Sequence, residues 1–540
     1  MEQMVQLAAV IVFALLGVAA GALTGIVPGL HVNNLALLII AAGGALSAFV
    51  LSIFPGASLF DIALLTASLI TSVAVTHTFV NCIPSTFLGA PDESTSLSVL
   101  PAHRMTLEGR GYEAVELSAM GSLGGLLVSF SLLVPVFIII GPPMGGYEKV
   151  INTSIVLILI SVVAILVLDE GSRQVRTGIA LNGIVVKGGD EPADAVSSLS
   201  QGSRARVGGV VTRACGGSDF WIRDATGEVH VRLKFGKAPA PETSVTVAGK
   251  VMRDSDRNGG AKRMALALAV FGLAGALGAV LLVPEGVAGI LPTPIKADDG
   301  AVLLLPLFSG LFGLPLLISS MKGRDKVPPQ GTRTRPKLPG WRRARGSVSG
   351  TVGGCITGWL PGASSAVAAA ISAQLSGSKG SGDDESDEFI VSVSAVSTAN
   401  TIFNLLALFV LMRARSGAMK AVQGLLGENV ALWTSLGAVP WALMCLLAVV
   451  LVSGALAYII TLWMGKRAAK LLPRLRYRPL AVGVCCFMVA MSFIFGGFLG
   501  LGILACAYFI GTLPEKLGVC RVHLMGCIVV PTLWFFLTMG

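Results

Sequence analysis

A nine-residue phrase that occurs twice is the feature that most constrains the fold of this chain. Residues 21–29 read Gly-Ala-Leu-Thr-Gly-Ile-Val-Pro-Gly, and residues 354–362 read Gly-Cys-Ile-Thr-Gly-Trp-Leu-Pro-Gly. Both copies lie inside long apolar stretches. A Pro-Gly pair interrupts a helix there, because proline removes a backbone donor and glycine lowers helix stability. Lipid cannot hydrogen-bond the freed backbone groups, so such breaks persist only where protein or a water-filled cavity covers them.

The composition identifies an integral membrane protein. The 540 residues are 54% hydrophobic and 13% charged, and the mean hydropathy is +0.79. A soluble protein carries about 25% charged residues, so one soluble core does not explain this chain. The nine cysteines are scattered. They have neither zinc-ligand spacing nor a disulfide framework, and we expect no metal site and no cofactor.

The apolar pattern predicts a polytopic α-helical membrane protein with two repeats, inverted in topology, that contain broken helices. About 10 to 14 segments approach the roughly 20 residues that a spanning helix needs. Residues 376–388 read as a flexible acidic linker. Apolar segments are predicted at 30–53, 346–360, 479–495 and 497–512, among others. The predicted domains are membrane repeat 1 (1–170), a small β domain (171–262), connecting membrane helices (263–320), a basic loop (321–345) and membrane repeat 2 (346–540).

The charge distribution predicts the topology. Residues 321–345 hold nine Lys or Arg against one acid, Asp325. Such loops collect on the cytoplasmic side of the plasma membrane. Counting segments from this loop places residues 171–262 in the cytoplasm and the N-terminus outside. The first copy of the phrase is then approached from outside and the second from inside, as in inverted-topology repeats.

The polar segment 171–262 predicts an OB-like barrel. Alternating polar and apolar residues, punctuated by glycine and proline, are typical of short strands. Phe220, Trp221 and nearby arginines could stack bases and track phosphates, so a membrane-anchored nucleic-acid-binding or regulatory protein is the alternative function. We do not expect nucleic acid as a partner, because basic residues inside the cell follow from topology alone.

A second stretch carries a family resemblance. Residues 88–105 read Leu-Gly-Ala-Pro-Asp-Glu-Ser-Thr-Ser-Leu-Ser-Val-Leu-Pro-Ala-His-Arg-Met, and they are followed by Glu-Gly-Arg-Gly at 108–111 and a Gly-rich helix at 118–125. Together with the two Gly-x-x-Pro-Gly segments, this run resembles the large membrane subunit of the tripartite tricarboxylate transporters, the TctA-type permeases. The resemblance covers residues 5–169 and 263–540. It implies a secondary active transporter for a small organic anion, a carboxylate, driven by an Na⁺ or H⁺ gradient and not an enzyme.

The chain departs from that family in three places. Segment 171–262 is extra, and the family's Ala-Asn-Asn-Ala motif is replaced here by Ala-Asn-Thr at 399–401. His31, Asn33 and Asn34 follow the first Pro-Gly pair. The resemblance implies a small membrane subunit and an extracytoplasmic binding protein as partners, and the departures also fit a relative that works without a binding protein.

The broken helices predict the substrate site. A half-helix N-terminus carries a partial positive charge that suits a carboxylate, while unwound carbonyls suit Na⁺ or H⁺ coupling. Asparagine and serine add polar groups without the cost of a charge inside the membrane. The predicted substrate-binding residues are Gly25, Pro28, Gly29, Asn33, Asn34, Gly358, Pro361, Gly362, Ser364 and Ser365. A second polar shell is predicted at His77, Asn81, Asn400 and Asn404.

Structural explanations compete with each of these assignments. Each Pro-Gly pair could mark a kinked helix packed against a neighbour, and the polar shell could make interhelical hydrogen bonds alone. His77 could relay protons or be a buried histidine with satisfied partners. A membrane-embedded enzyme is a third hypothesis, but the sequence contains no metal cluster, nucleophile–base pair or paired intramembrane carboxylates to support it.

Overall fold

A computed structural model of the chain defines the fold. It describes residues 3–27, 32–89, 99–147, 180–186, 204–216, 219–223, 228–233, 244–252, 259–282, 300–321, 328–332, 338–359, 383–427, 430–474 and 477–539, together with positions between 156 and 170 and residues 368, 369 and 372. Residues Val167–Ala267 form one compact unit, and Met1–Leu166 with Leu268–Gly540 form the other.

The large unit is built from apolar helices. Seven helices of the described part are long and apolar enough to cross a membrane, which makes this a multi-pass membrane protein. The helices before the polar segment are α1 Gln3–Ile26, α2 Val32–Ala41, α3 Gly43–Ile53, α4 Leu59–Val80, α5 Cys82–Leu88, α6 Val99–Leu107 and α7 Gly111–Ile140. Those after it are α8 Gly259–Leu282, α9 Gly300–Phe308, α10 Leu314–Met321, α11 Gly340–Trp359, α12 Asp383–Leu411, α13 Gly417–Leu426, α14 Trp441–Leu471, α15 Tyr477–Leu517 and α16 Gly526–Met539.

Helix starts and ends follow ordinary local chemistry. Ser58 caps α4 in a capping box, since its hydroxyl accepts from the Asp61 amide while the Asp61 side chain accepts from the Ser58 amide. Gly89 ends α5 in the left-handed region with φ +65°, where glycine carries no steric penalty. Ser416 caps α13. These caps satisfy backbone groups that a helix end would otherwise leave without partners.

Three sequence-based boundaries are wrong, and one is confirmed. The segment predicted at 30–53 is two helices, α2 and α3. The predicted division between 479–495 and 497–512 is confirmed, because α15 bends at Gly497, whose φ of +59° interrupts the helix. The segment predicted to begin at 346 begins at Gly340. Residues 383–388 are not a flexible linker but the start of α12, where buried carboxylates bind arginines from other helices.

Two helix pairs pack in the same way. An added Cβ at Gly17, Gly21 or Gly25 of α1 would lie 2.5–2.7 Å from a Cβ of α4, at Ser72, Thr76 and Val80. At Gly350, Gly354 and Gly358 of α11 it would lie 2.7–2.9 Å from a Cβ of α12, at Ala395, Ala399 and Phe403. The first helices match with an offset of 333 (Gly21 to Gly354), and the second helices match with an offset of 323 (Val80 to Phe403). Both pairs therefore use one glycine-lined, backbone-close interface.

The third long helix of each half packs against the other half. Gly121 and Gly125 of α7 face Val391 and Ala395 of α12, so α7 and α12 run in the same direction. Ser453 of α14 donates a hydrogen bond to Ser72 of α4 (2.8 Å). Because α7 packs against the second half and α14 packs against the first, the two halves share one continuous hydrophobic core.

The direction of the remaining helices follows from the same contacts. Trp441 at the start of α14 donates to Gln6, which donates to Asp61 at the start of α4, so α14 and α4 run together. Gly454 and Gly465 of α14 face Leu126 and Val115 of α7. The positions rise on one helix as they fall on the other, so α7 and α14 are antiparallel.

The described part of the small unit contains five strands, β1 Ala180–Val186, β2 Arg204–Gly216, β3 Asp219–Arg223, β4 Glu228–Leu233 and β5 Ser244–Met252. They close into a barrel in the order β1-β4-β3-β2-β5. The β1–β4 pair is parallel, and the other four pairs are antiparallel. Closure leaves no strand edge open for pairing with another chain.

Candidate functional site

Two helices end inside the membrane unit at matching depths. α1 ends at Ile26, and Gly25 faces Val80 and the Asn81 amide. The neighbouring span continues to Leu88, seven residues or about 10 Å beyond Asn81 at 1.5 Å per residue. α11 ends at Trp359, with Gly358 against Phe403 and the Asn404 amide, and its neighbour likewise continues to Leu411. The helix that carries each copy of the phrase, α1 or α11, therefore ends well before the neighbouring spanning helix does.

A polar pair lies just before each helix end. Thr24 Oγ1 and His77 Nδ1 are 3.3 Å apart between α1 and α4. At the corresponding positions of the second pair, Thr357 Oγ1 donates to Asn400 Oδ1 at 3.5 Å between α11 and α12. Thr24 and His77 are buried. Both copies of the phrase contain the threonine, but its partner is His77 in the first half and Asn400 in the second.

The two polar pairs belong to helices that meet. Thr78 Oγ1 of α4 lies 3.3 Å from Thr398 Oγ1 of α12, and both side chains are buried. This contact, which we call the crossing, lies one residue from His77 and two from Asn400. Asn81 and Asn404, also buried, follow one turn further along each helix.

The surroundings of the crossing are apolar and closely packed. Trp359, Phe403 and Ile402 are fully buried, and Phe79 is nearly so. Residues 62–89 and 389–411 contain no Asp, Glu, Lys or Arg. Hydrogen bonds and partial charges act strongly in such a low-dielectric region. The polar groups around the crossing are neutral amides, hydroxyls and one imidazole.

Charged groups instead gather where α7, α11 and α12 begin. Arg110 donates to Glu113 (2.8 Å) and Asp387 (3.0 Å), and both carboxylates are almost fully buried. The Glu113 hydrogen bond is the largest effect raising the pKa of the Arg110 guanidinium, and the Asp387 charge adds to it. Arg345 binds the fully buried Glu388 through two hydrogen bonds of 2.5 and 2.8 Å. The Arg110–Asp387 pair joins the two halves, and the Arg345–Glu388 pair joins α11 to α12 within the second half.

A buried histidine supports the same end of the unit. His103 of α6 lies 2.9 Å from the Thr86 carbonyl through Nδ1, and Thr106 donates to the same carbonyl. Burial lowers the pKa of His103, and the Thr86 contact opposes that shift. Gln330 bridges the Thr106 carbonyl and the Gly111 amide. These contacts fix α6 against the start of α7 and hold the charged groups in place.

The structure places only part of the predicted site. The Thr78–Thr398 contact brings together the segment of α4 that contains His77 and the segment of α12 that contains Asn400, while Gly25 lies against Val80 and Gly358 against Phe403 within their own halves. Asn33 and Asn34 lie in the first turn of α2, and their side chains lie outside the described residues. The predicted residues outside the described part of the chain are Pro28, Gly29, Pro361, Gly362, Ser364 and Ser365.

The predicted site residues leave out the threonines, although Thr78 and Thr398 lie in the same polar stretches as His77 and Asn400. Thr24 and Thr357 match within the repeated phrase, which is a signal that could have found them. Thr78 and Thr398 are not counterparts under the offset of 333 or that of 323. Each therefore contacts a residue of the other helix that differs from its own counterpart. Among the described residues, no group of three or more His, Cys, Asp or Glu could hold a metal ion.

One relative, the uncharacterized protein MJ1079 of Methanocaldococcus jannaschii, is 37% identical over 128 residues, which is 24% of this chain and 28% of that protein. The chain thus matches less than a third of the length of this relative. No solved structure matches.

A family model matches most of the chain. It is described as the tripartite tricarboxylate transporter TctA family, and it matches residues 11–187 and 234–526. The unmatched residues between them lie inside the polar segment. The family is one of transporter components and not of enzymes. With two similarly packed helix pairs and seven candidate spans, the chain belongs to the tripartite tricarboxylate transporter TctA family.

Proposed function

We propose that this protein is the membrane carrier of a small organic anion, a carboxylate, and that an Na⁺ or H⁺ gradient drives uptake. The crossing is the observation that carries the proposal. It joins two polar helix segments from the two halves inside an apolar core, beside two helix ends that lie at membrane depth. Transporters bind substrate at such discontinuous helices near the bilayer midplane.

The proposed substrate site combines amides and neutral side chains. The helix that follows the first phrase, α2, begins at Val32, so its free amides point towards the break. These amides and Asn33, Asn34 and Asn81 would bind the carboxylate, while carbonyls freed by Pro28, Gly29, Pro361 and Gly362 would bind the coupling ion. Ser364, Ser365, Asn400 and Asn404 would supply the second half of the site. No charged side chain is needed, which avoids the cost of an ion in the membrane.

We also propose that the two halves are inverted repeats. Since α4 runs with α14, α12 runs with α7, and α7 opposes α14, the corresponding helices α4 and α12 run in opposite directions. A two-fold axis in the membrane plane relates such halves. It would pass close to the Thr78–Thr398 contact, and the two phrases would approach the site from opposite sides.

The orientation follows from the basic residues. Arg342, Arg343 and Arg345 lie at the start of α11, and Lys466 and Lys470 lie at the end of α14. The helix directions place these ends on one side, which the positive-inside rule assigns to the cytoplasm. The N-terminus of α1 would then lie outside, and the barrel in the cytoplasm.

We further propose partners and a class for the barrel. Family membership supports a small membrane subunit and an extracytoplasmic binding protein. A closed five-stranded barrel with one parallel pair is typical of an OB-like fold. The nucleic-acid alternative rests on Phe220 and Trp221, whose side chains lie outside the described residues, so it stays a prediction.

Uptake of labelled carboxylates into proteoliposomes tests this function. We expect uptake of at least one di- or tricarboxylate under an imposed Na⁺ or H⁺ gradient, with and without a binding protein added. Replacing Pro28 and Gly29 by alanine should abolish uptake while the protein still inserts and elutes as a folded species. Ser492→Ala is the matched control, because the hydrogen bond of that hydroxyl in the described part of the chain goes to the Met488 carbonyl of its own helix. Folded protein that transports nothing across a broad panel would contradict the proposal.

A further inference from the structure

Two arginines just past the end of α12 share one buried tyrosine. Arg415, in the short connection between α12 and α13, donates a hydrogen bond through Nη2 to the Tyr147 hydroxyl. The guanidinium carbon of Arg415 lies 5.5 Å from the centre of the Tyr147 ring, and that of Arg413 lies 6.0 Å from it. Tyr147 is only 3% exposed, while Arg415 is half-buried and Arg413 is exposed. Two positive charges therefore lie against one aromatic ring.

The backbone on both sides of this contact is fixed. Met412 follows the end of α12 in the left-handed region with φ +55°, which residues other than glycine rarely adopt. Gln423 of α13 donates to the Met412 carbonyl (3.2 Å), and Ser416 caps α13. After α7, Gly145 with φ +63° turns the chain just before Tyr147. A strained residue that its surroundings hold in place is often found at a functional site.

The positive charge of the two arginines is not balanced by a carboxylate in the described part of the chain. The ion pairs found there involve other arginines, such as Arg345 with Glu388. Burial is the largest effect lowering the pKa of Arg415; Tyr147 opposes that shift, and the Arg413 charge adds to it. Two like charges beside a region of low dielectric repel each other, so an anion between them would be stabilising.

Two adjacent hydrogen-bond donors at this position lack acceptors among the described residues. Arg415 Nε is buried and has no partner there, which is costly for a charged group. The Tyr147 oxygen accepts from Arg415, so the phenol still has its own proton to donate. Arg345 shows what the same edge of a guanidinium binds, since its Nε and Nη2 donate to the two oxygens of Glu388 at 2.5 and 2.8 Å. At Arg415 that edge contacts only the Tyr147 oxygen.

We propose that Arg415, Tyr147 and Arg413 form a binding site for a carboxylate of a small organic anion, separate from the crossing. One carboxylate oxygen would accept from Arg415 Nε and the other from the Tyr147 hydroxyl, while Arg413 supplies a second positive charge. Hydrogen bonds between a guanidinium and a carboxylate are among the strongest in proteins. A carboxylate suits the site better than a spherical anion, because its two oxygens match two neighbouring donors.

The position of the site suits an entrance. Leu411, the last residue of α12, is seven residues, or about 10 Å, past Asn404, so the arginines lie beyond the polar residues near the crossing. They lie at the opposite end of α12 from Asp387 and Glu388. In the proposed orientation this end is extracytoplasmic, where the positive-inside rule predicts few arginines. The inference rests on the proposed function, and it names a place where the anion binds before it reaches the crossing.

Thermal unfolding of the purified full-length protein tests the site without transport. Citrate and, separately, succinate are titrated at constant Na⁺ concentration and ionic strength, and the Tm of the wild type should rise saturably with at least one of them. Arg415→Gln should raise the half-saturating concentration at least tenfold, and Tyr147→Phe, which keeps the ring, at least threefold. Lys420→Gln is the matched control, because it removes one exposed positive charge from the neighbouring α13, and it should change this concentration less than twofold.

A further variant covers the case in which Arg415 or Tyr147 is needed for folding. Arg413→Gln changes an exposed side chain and should raise the half-saturating concentration at least threefold. A wild-type Tm that responds to neither anion would overturn the site. Equal losses of affinity in Arg413→Gln and Lys420→Gln would also overturn it, because they would show a general effect of charge.

Asn404→Leu separates this site from the crossing. Its Tm should still rise saturably, with a half-saturating concentration within threefold of the wild type. If Asn404→Leu loses the response while Arg415→Gln and Arg413→Gln keep it, the anion binds at the crossing and the inference is wrong. A response that depends on Arg415, in protein that transports no carboxylate, would retain the site and reject the proposed function.

Discussion

The α1–α4 and α11–α12 helix pairs share one backbone arrangement and differ in the chemistry of their interfaces. Both pairs use three glycines, four residues apart, to bring the helices together. The first interface carries Val12, Leu65, Leu16 and Leu69 where the second carries Arg345, Glu388, Ser349 and Ser392. The two pairs thus share the close approach of the backbones and differ in polarity at these four positions.

The difference indicates that helix packing and function depend on different residues in this fold. Small residues set the distance between membrane helices, because lipid provides no hydrophobic driving force for their association. Polar residues in the same interface are costly unless they have partners. The polar residues at these four positions of the second interface are therefore not required for close packing at glycine.

The largest expected effect comes from giving the second half the chemistry of the first. Arg345→Val leaves Glu388 buried without its partner and should cost roughly 3–5 kcal/mol of stability, seen as a lower Tm. Arg345→Val/Glu388→Leu copies Val12 and Leu65 and should recover most of that loss. Arg342→Val is the control, since Arg342 also lies over Trp341 and its replacement removes one positive charge from the same turn of α11. A double variant as unstable as the single one would contradict the assignment of Glu388 as a buried charge.

The second test asks whether both halves bind the same substrate. Replacement of Asn404 or Asn81 by leucine removes a buried amide near the crossing and should lower kcat/KM for uptake about 10- to 100-fold, or roughly 1.4–3 kcal/mol. Uptake by each variant is compared with Ser492→Ala at equal amounts of folded protein. Full uptake by either leucine variant would confine the site to the other half.

The third test compares the two glycine interfaces directly. A Cβ at Gly25 or Gly358 would lie 2.7 Å from its neighbour's Cβ, so Gly25→Ala and Gly358→Ala should each cost about 1–3 kcal/mol. Gly483→Ala is the control, because that helical glycine has open space around its Cβ position. There we expect a gain of about 0.4–1 kcal/mol. If both interface variants match the control in Tm, the close approach of the helices is wrong.

The smallest expected effect concerns the contact between the halves. Thr78→Val and Thr398→Val remove a hydroxyl pair 3.3 Å apart. A double-mutant cycle of Tm-derived stabilities should give a coupling of about 0.5–1.5 kcal/mol, the usual net value of one hydrogen bond. Additive effects would place the two threonines apart.

The sequence alone predicted the membrane class, the duplicated break and the paired polar clusters. It did so because a repeated Thr-Gly and Pro-Gly phrase and uninterrupted apolar runs are local signals. The offset of 323 between the second helices of the two pairs was not recognisable in the sequence. The connection between the first and second helices is ten residues shorter in the second half, and loops change length at little thermodynamic cost. The inversion, the orientation and the OB-like class of the barrel stay proposals.

The rest depended on partners distant in the chain. An acidic, Ser/Gly-rich run at 376–388 is typical of a solvated linker. Asp387 and Glu388 are nevertheless buried, and they form ion pairs with Arg110 and Arg345. Nothing within the run indicates those arginines. The Thr78–Thr398 and Ser349–Ser392 contacts likewise join residues from separate helices, which no local pattern predicts.

Cross-linking at the crossing tests the central claim most directly. In a variant without the native cysteines, Thr78→Cys/Thr398→Cys should form a disulfide on mild oxidation, because the two hydroxyl oxygens they replace are 3.3 Å apart. The account predicts that the cross-linked protein loses carboxylate uptake and that reduction restores it. Failure to cross-link would contradict the contact between the two halves at Thr78 and Thr398. Full uptake by the cross-linked protein would show that substrate does not pass where the two halves meet.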